Sequence, residues 1–361
     1  MCDVLKHIKN RIDAEGPLSV SNYMAEALFN PKYGYYMTGD PLGKEGDFVT
    51  APEISQMFGE LIGLWSATVW EAIGSPKRIN FIEMGPGRGT LMADAVRSIS
   101  SIADFAKAVD IHLIETSPSL QRRQKRNLKA LGYNIKWHKN FLDIPEGPLI
   151  FIANELFDVL PIDQFQKSKN GWKERKIGYN LTGELTWILD QNRLISEELI
   201  PQQLLHSEVG SVFERSQIGI ELISNITKSV VKHGGAALIV DYGHIKSGIG
   251  DTLQAVKNHS YFDVLSEPGT ADLTAHVDFE CLVDNVIING GLNLGPVTQR
   301  DFLRRLGIET RAGQLKNVAS TRMKSEVLAG LNRLIGINEM GNLFKVLAIT
   351  KPDQNYLEGF C

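Results

Sequence analysis

The chain has 361 residues, 43% hydrophobic and 22% charged, with 38 Lys and Arg against 42 Asp and Glu for a net charge of −4. That length suits one large α/β domain or a domain with a substantial insertion, and the slight acidity argues against a nucleic-acid partner, which normally leaves a basic bias. Cys2, Cys281 and Cys361 lie too far apart for a disulfide framework or a zinc spacing, which fits a reducing compartment.

The first eighty residues hold an aromatic cluster, Tyr33-Gly34-Tyr35-Tyr36, a Gly-rich loop over 39–48, and then a long helix. Thr50-Ala51-Pro52-Glu53 fits a capping box at the start of that helix, and Gly74 fits its stop. Ile54, Met57, Phe58, Leu61, Ile62, Trp65, Val69 and Ile73 form a wide apolar stripe, which reads as core rather than as a binding surface. From Phe81 onward the pattern alternates. Strands are expected at 80–84, 110–115, 135–138, 148–153 and 236–242, with a last pair at 292–297 and 343–350. A helix is expected over 90–102. Another follows Ser117, which can act as N-cap with Pro118 at the first helical position. Unbroken apolar strands between helices imply a doubly wound, mostly parallel sheet. Turns at Asn170-Gly171 and Thr182-Gly183 mark a small antiparallel meander over 164–195, inserted after the fourth strand as a lid, a partner surface or decoration. The expected division is 1–78 as an N-terminal helical cap, 79–163 and 231–361 as two parts of one core, and 164–230 as the insertion.

Residues Phe81-Ile82-Glu83-Met84-Gly85-Pro86-Gly87-Arg88-Gly89-Thr90 read as a buried strand, a triple-glycine turn and a helix start. The spacing is G-x-G-x-G. The dinucleotide fingerprint G-x-G-x-x-G would need glycine where the chain has Thr90. A carboxylate at Glu83 would repel a pyrophosphate but suits a cation such as S-adenosyl-L-methionine, whereas the plain alternative is an ordinary Gly-rich turn. Glu115 ends the second strand, where an acid can accept hydrogen bonds from both ribose hydroxyls of an adenosine cofactor. Asp143, just past the third strand, could meet the adenine edge or simply make a turn. After the fourth strand, Asn154-Glu155-Leu156-Phe157-Asp158 carries two acids that would share one face if the segment were helical. Such a pair suits a guanidinium acceptor, and its ordinary alternative is a helix cap plus a surface ion pair. His276 is either a site residue or a hydrogen-bonded structural histidine, and Asp278 is a natural N-cap for the helix after it. The basic run Arg122-Arg123-Gln124-Lys125-Arg126 reads as a solvated helix face.

Tyr33–Tyr36, Gly46–Glu60, Glu83–Leu91, Asn154–Pro161 and Ala271–Phe279, with the ending Met340–Leu347, together resemble the signature blocks of the MidA-type methyltransferases, in family order over nearly the whole chain. That family includes the mitochondrial complex I assembly factor 7 group, which methylates arginine. The resemblance implies a class I methyltransferase fold whose last strand is antiparallel. It also implies S-adenosyl-L-methionine as cofactor, and as substrate a protein arginine on a quinone-module core subunit of complex I. The residues then expected to hold the cofactor are Glu83, Gly85, Pro86, Gly87, Gly89, Glu115, Asp143 and Asn154, and the catalytic candidates are Glu155, Asp158 and His276. No metal is expected. A cofactor-binding assembly chaperone without essential catalysis and a small-molecule methyltransferase are the competing readings. No apolar run approaches the ~18 residues of a membrane span, and Met1–His7 lacks secretory or transit character, so the cytoplasm is the expected location.

Overall fold

The computed structural model of the chain describes residues 3–38, 50–257 and 260–360. The Gly-rich loop at 39–48, residues 46–49 of the Gly46–Glu60 block, Cys2 and Cys361 lie outside the described residues.

Two compact units emerge. One comprises 49–157, 222–245 and 282–361, and the other 1–48, 158–221 and 246–281. This divides the chain differently from the four segments expected. The stretch 49–78 belongs with the sheet, because its long helix packs against the helix that follows the glycine turn. The stretch 246–281 joins the N-terminal helices and the insertion.

The first unit is built on seven strands: β1 (Ile79–Met84), β2 (Val109–Ile114), β3 (Lys136–His138), β4 (Leu149–Asn154), β5 (Gly235–His244), β6 (Leu292–Thr298) and β7 (Phe344–Thr350). Their spatial order is β3-β2-β1-β4-β5-β7-β6. Strands β1 to β5 pair in parallel, and β7 runs antiparallel to both β5 and β6. All seven strands fall at the expected segments, and the last one is antiparallel as expected. The order reverses at β1–β4, and ligands of such sheets bind beyond the strand carboxyl ends at that switch point. Every residue of β4 is buried, which accounts for its unbroken apolar run (Leu149-Ile150-Phe151-Ile152-Ala153).

The helices of this unit differ from expectation in two places. The first is a short α1 (Ala51–Ile54) and a long α2 (Gln56–Ala72), not one continuous helix. Ser55 is extended (φ −160°, ψ 135°), and its hydroxyl caps α2 by accepting the Met57 amide at 3.3 Å. Thr50 makes no side-chain cap, and Glu53 turns elsewhere, so the expected capping box is absent. The apolar stripe is nevertheless core: Met57, Phe58, Ile62, Trp65 and Val69 are buried. The second difference follows the glycine turn, where α3 (Thr90–Ile99) ends early and a separate helix covers Ala103–Ala108. Ser98, Ser100 and Ser101 bond the carbonyls three residues back, which offers the chain an alternative to further helix. Helix α4 (Pro118–Leu128) starts on Ser117 as expected. Gly59 and Gly63 let α2 lie against α3, because a Cβ on Gly63 would fall 2.5 Å from the Ala95 carbonyl oxygen.

The second unit contains the helices Asp3–Glu15 and Val20–Phe29 and the expected meander, Asp163–Ser168, Gly171–Tyr179 and Leu185–Leu194. Leu18–Ser19 and Val212–Arg215 extend that sheet. The connection 246–281 carries a sheet of its own: Gln254–Lys257 pairs with Ser260–Phe262 and Asp272–Thr274 in a three-stranded antiparallel sheet. Val4, Ile8, Tyr23, Met24, Ile177 and Leu273 lie in this unit's own core. No helix among the described residues is long and apolar enough to cross a membrane.

Candidate functional site

The glycine turn joins β1 to α3 at the carboxyl edge of the sheet. Gly85, Gly87 and Gly89 have φ of 69°, 52° and 80°, so all three lie in the left-handed region that disfavours a side chain. The Gly85 amide donates to the Ile114 carbonyl, tying the turn to the end of β2. A Cβ on Gly85 would also meet Leu156 at 2.9 Å, so glycine here serves both turn and close packing. Thr90, which breaks the dinucleotide fingerprint, donates its hydroxyl to Glu53 at 2.5 Å, and Arg88 lies 3.9 Å from the same carboxylate. Glu53 therefore braces the turn from α1.

Register places three polar residues on one face. Glu83 pairs with Ile152 and Leu113, so alternation puts Glu83, Asn154 and Glu115 on the same side of β1, β4 and β2. Glu83 is 3% exposed. Burial pushes its carboxyl up to about 8, only partly offset by the Met92 amide at the start of α3. Its Oε2 is buried without a hydrogen-bond partner, as is Oδ1 of Asn154. Two buried acceptors left unpaired on one sheet face suit a ligand that brings cationic donors. Glu115 is held at both oxygens: Oε1 accepts the Ser117 amide at 2.7 Å and Oε2 accepts Gln124 Nε2 at 3.1 Å. Burial raises its carboxyl despite these donors.

Asp143 lies in a short 3₁₀ turn, where its Oδ2 accepts the Asn140 amide at 3.1 Å in a capping box. It is exposed, and the simpler of its two expected roles is the one its hydrogen bond displays.

Beyond β4 the segment is a turn, not a helix, so Glu155 and Asp158 do not share a helix face. The reason lies in the backbone at Glu155 and its partners on β5. Glu155 has φ 50°, a left-handed conformation rare for a residue with a side chain. Its amide donates to the Val240 carbonyl, and the carboxylate of Asp241 accepts the amides of Leu156 (3.1 Å) and Phe157 (2.8 Å). Those bonds bend the chain away from α-helix. Glu155 Oε1 in turn accepts the Ala51 amide at 2.9 Å and Asn154 Nδ2 at 3.0 Å. A strained acid fixed by its surroundings at a strand carboxyl end is a recurrent active-site feature.

Asp158 and His276 lie in the second unit. The Asp158 carbonyl accepts the Ala275 amide at 2.9 Å, so the Asn154–Pro161 and Ala271–Phe279 blocks meet there. The buried hydroxyl of Tyr36 donates to both oxygens of Asp272, at 2.8 and 2.9 Å. Burial, with Asp272 and Asp158 nearby, pushes that phenol well above its ordinary range. The His276 amide donates to Thr252 Oγ1 at 2.9 Å, and Asp278 caps the following helix through the Cys281 amide. The Tyr36–Asp272 pair was not expected from sequence, although both residues lie in motif blocks. Among the described residues no group of His, Cys, Asp or Glu is arranged to hold a metal ion. A cleft of about 240 Å³ near Asn80, Phe141 and Lys228 opens at the amino ends of the strands, remote from the glycine turn.

A sheet of this order, with an antiparallel seventh strand and a glycine turn after β1, is the class I methyltransferase fold. The family model described as "Putative S-adenosyl-L-methionine-dependent methyltransferase" matches residues 61–296. Curated relatives include the mitochondrial protein arginine methyltransferase NDUFAF7 of Xenopus tropicalis, 36% identical over 96% of this chain and 85% of that protein. The Homo sapiens protein of the same name is 35% identical over 96% and 83%. The crystal structure of a COG1565 superfamily member from Burkholderia thailandensis, bound to S-adenosyl-homocysteine, aligns with a TM-score of 0.88 at 24% identity, over 99% of this chain and 94% of that one. The chain belongs to this family of methyltransferases, and its cofactor is S-adenosyl-L-methionine.

Proposed function

We propose that the chain methylates an arginine guanidinium of a protein, and that the protein is a core subunit of the quinone module of respiratory complex I (NADH dehydrogenase) during its assembly. The observation that carries this reading is the Glu155 turn, where an acid in a costly backbone conformation ends the buried strand beside the glycine turn. The relatives named protein arginine methyltransferases support it.

Glu83, Gly85, Pro86, Gly87, Gly89, Glu115 and Asn154 would hold the cofactor, with the Asn140–Asp143 cap bordering the adenine. When bound, S-adenosyl-L-methionine supplies an electrophilic methyl group on a sulfonium. The protein's own contribution is placement and charge. Glu115 offers acceptors for the ribose hydroxyls, and the left-handed glycines let the backbone turn sharply beside the ligand. Glu83 and Asn154 offer acceptors to cationic groups. Glu155 would hold the guanidinium through its planar N–H fork, keeping positive charge on the nitrogens that do not react. Its fixed carboxylate then aims one nitrogen for in-line attack, and the proton is lost afterwards. Asp158 and His276 are the other catalytic candidates, carried from their place in the motif blocks. The compartment that fits is the bacterial cytoplasm, the counterpart of the mitochondrial location in the relatives' names.

Tandem mass spectrometry of NADH dehydrogenase from a strain lacking this chain tests the reading. One dimethylarginine is expected to disappear, to return with the wild-type chain, and to stay absent with Glu155→Gln. An unaltered modification map in the deletion strain would overturn the complex I assignment.

A further inference from the structure

Gln124 sits in a helix run of charged, solvated residues yet is fully buried. Its Nε2 donates to the Gly87 carbonyl at 2.8 Å and to Glu115 Oε2 at 3.1 Å, and its Oε1 accepts the indole N–H of Trp137 at 2.8 Å. An indole N–H only donates, and a carbonyl and a carboxylate only accept, so the amide has one orientation that satisfies all three partners. Lys125 lies 5.1 Å over the Trp137 ring and covers the anchor. The Ser117 amide holds the other Glu115 oxygen. One side chain thus ties the turn after β1, the acid ending β2 and a ring on β3 into a single network.

We propose that Gln124 is a positioning residue that sets specificity for a ribose diol, locking the Glu115 carboxylate in register with the glycine turn. This rests on the reading that Glu115 receives the ribose hydroxyls. A glutamate at a strand end would otherwise lose rotamer freedom only when ligand arrives, and that loss would weaken binding. Here the protein's own donors, the Ser117 amide and Gln124 Nε2, already fix the carboxylate. The Ser117 and Gln124 donors, with the Thr116 amide beside them, leave part of the carboxylate's acceptor capacity for a hydroxyl. Gln124 also bonds the Gly87 carbonyl, so the diol acceptor and the turn cannot drift apart.

The experiment is calorimetric titration of the full chain with S-adenosyl-homocysteine and with its 2′-deoxy analogue, in wild type and in Gln124→Met. The methionine keeps length and burial but removes all three hydrogen bonds. Hydrogen bonds to charged groups translate into roughly 10- to 100-fold in affinity. Wild type is therefore expected to bind the deoxy analogue about 10-fold or more weaker. In Gln124→Met, S-adenosyl-homocysteine is expected to weaken by at least about 10-fold, and the deoxy penalty to shrink to within roughly 3-fold. Equal weakening of both ligands would show a general scaffold role and overturn the proposal, as would unchanged affinity for S-adenosyl-homocysteine. Glu115→Ala separates the two levels: if that variant binds as wild type does, the reading of Glu115 itself fails. Should Gln124→Met not fold, Trp137→Phe removes only the anchor on Oε1. The same shrinkage at smaller amplitude is then expected, and parallel losses would overturn the proposal.

Discussion

Replacing Glu83 with Gln isolates a carboxyl that lies buried just before the glycine turn. Burial pushes that carboxyl up to about 8 from an ordinary 4.5. A carboxyl whose folded value is raised stabilises the fold fully below its unfolded value of about 4.5, and that contribution is lost as pH rises through about 8. Each unit of separation is about 1.4 kcal/mol, so the whole window spans at most roughly 5 kcal/mol. Between about pH 5 and about pH 7.5, wild type should lose on the order of 3 kcal/mol relative to Glu83→Gln, whose amide does not titrate. Urea denaturation of both proteins across that range measures the difference, and the remaining titrations cancel between them. Parallel profiles would refute the buried, protonated carboxyl. A second measurement links this group to the site. A cationic ligand beside Glu83 lowers its pKa, so cofactor binding near about pH 7 should release close to one proton, read by calorimetry in buffers of different ionisation enthalpy. Glu83→Gln should release none.

The other predictions concern the turn and the acid beyond β4. Gly87→Val forces a β-branched residue to φ 52° and should abolish titratable cofactor binding, whereas a normal isotherm would defeat the proposed site. Glu155→Gln should lower kcat by about 100-fold or more while cofactor affinity stays within roughly 3-fold, and unchanged turnover would remove it from the mechanism. Asp241→Ala leaves the amides of Leu156, Phe157 and Tyr242 without their carboxylate. A loss of about 3–5 kcal/mol in stability is expected by denaturation, and a change below about 1 kcal/mol would contradict its role in bending the segment.

The sheet was legible because its strands are continuous apolar runs buried on both faces, as in β4. The glycine turn was legible, and with it the placement of Glu83 and Glu115 at the ends of β1 and β2, because a turn of left-handed residues between a buried strand and a helix has few sequence solutions. Other features depend on partners distant in sequence. Gln124 looks solvated within Arg122–Arg126, and only the Gly87 carbonyl, Glu115 and Trp137 reveal why it is buried. Asp241, 86 positions beyond Glu155, decides that Asn154–Phe157 forms a turn, so helical spacing was the wrong ruler for Glu155 and Asp158. Thr50 and Glu53 have the letters of a capping box, but Thr90 competes for the Glu53 carboxylate, and Ser55 caps α2 instead. Tyr36 and Asp272 are separated by more than two hundred residues, and no local pattern pairs them.

The most direct test of arginine methylation is chemical. The purified chain would be incubated with methyl-labelled S-adenosyl-L-methionine and the quinone-module subunits, and the protein fraction hydrolysed to amino acids. Label is predicted in methylarginine, and to vanish with Glu155→Gln. Label on another residue, or only in small molecules, would contradict the assignment of a guanidinium acceptor.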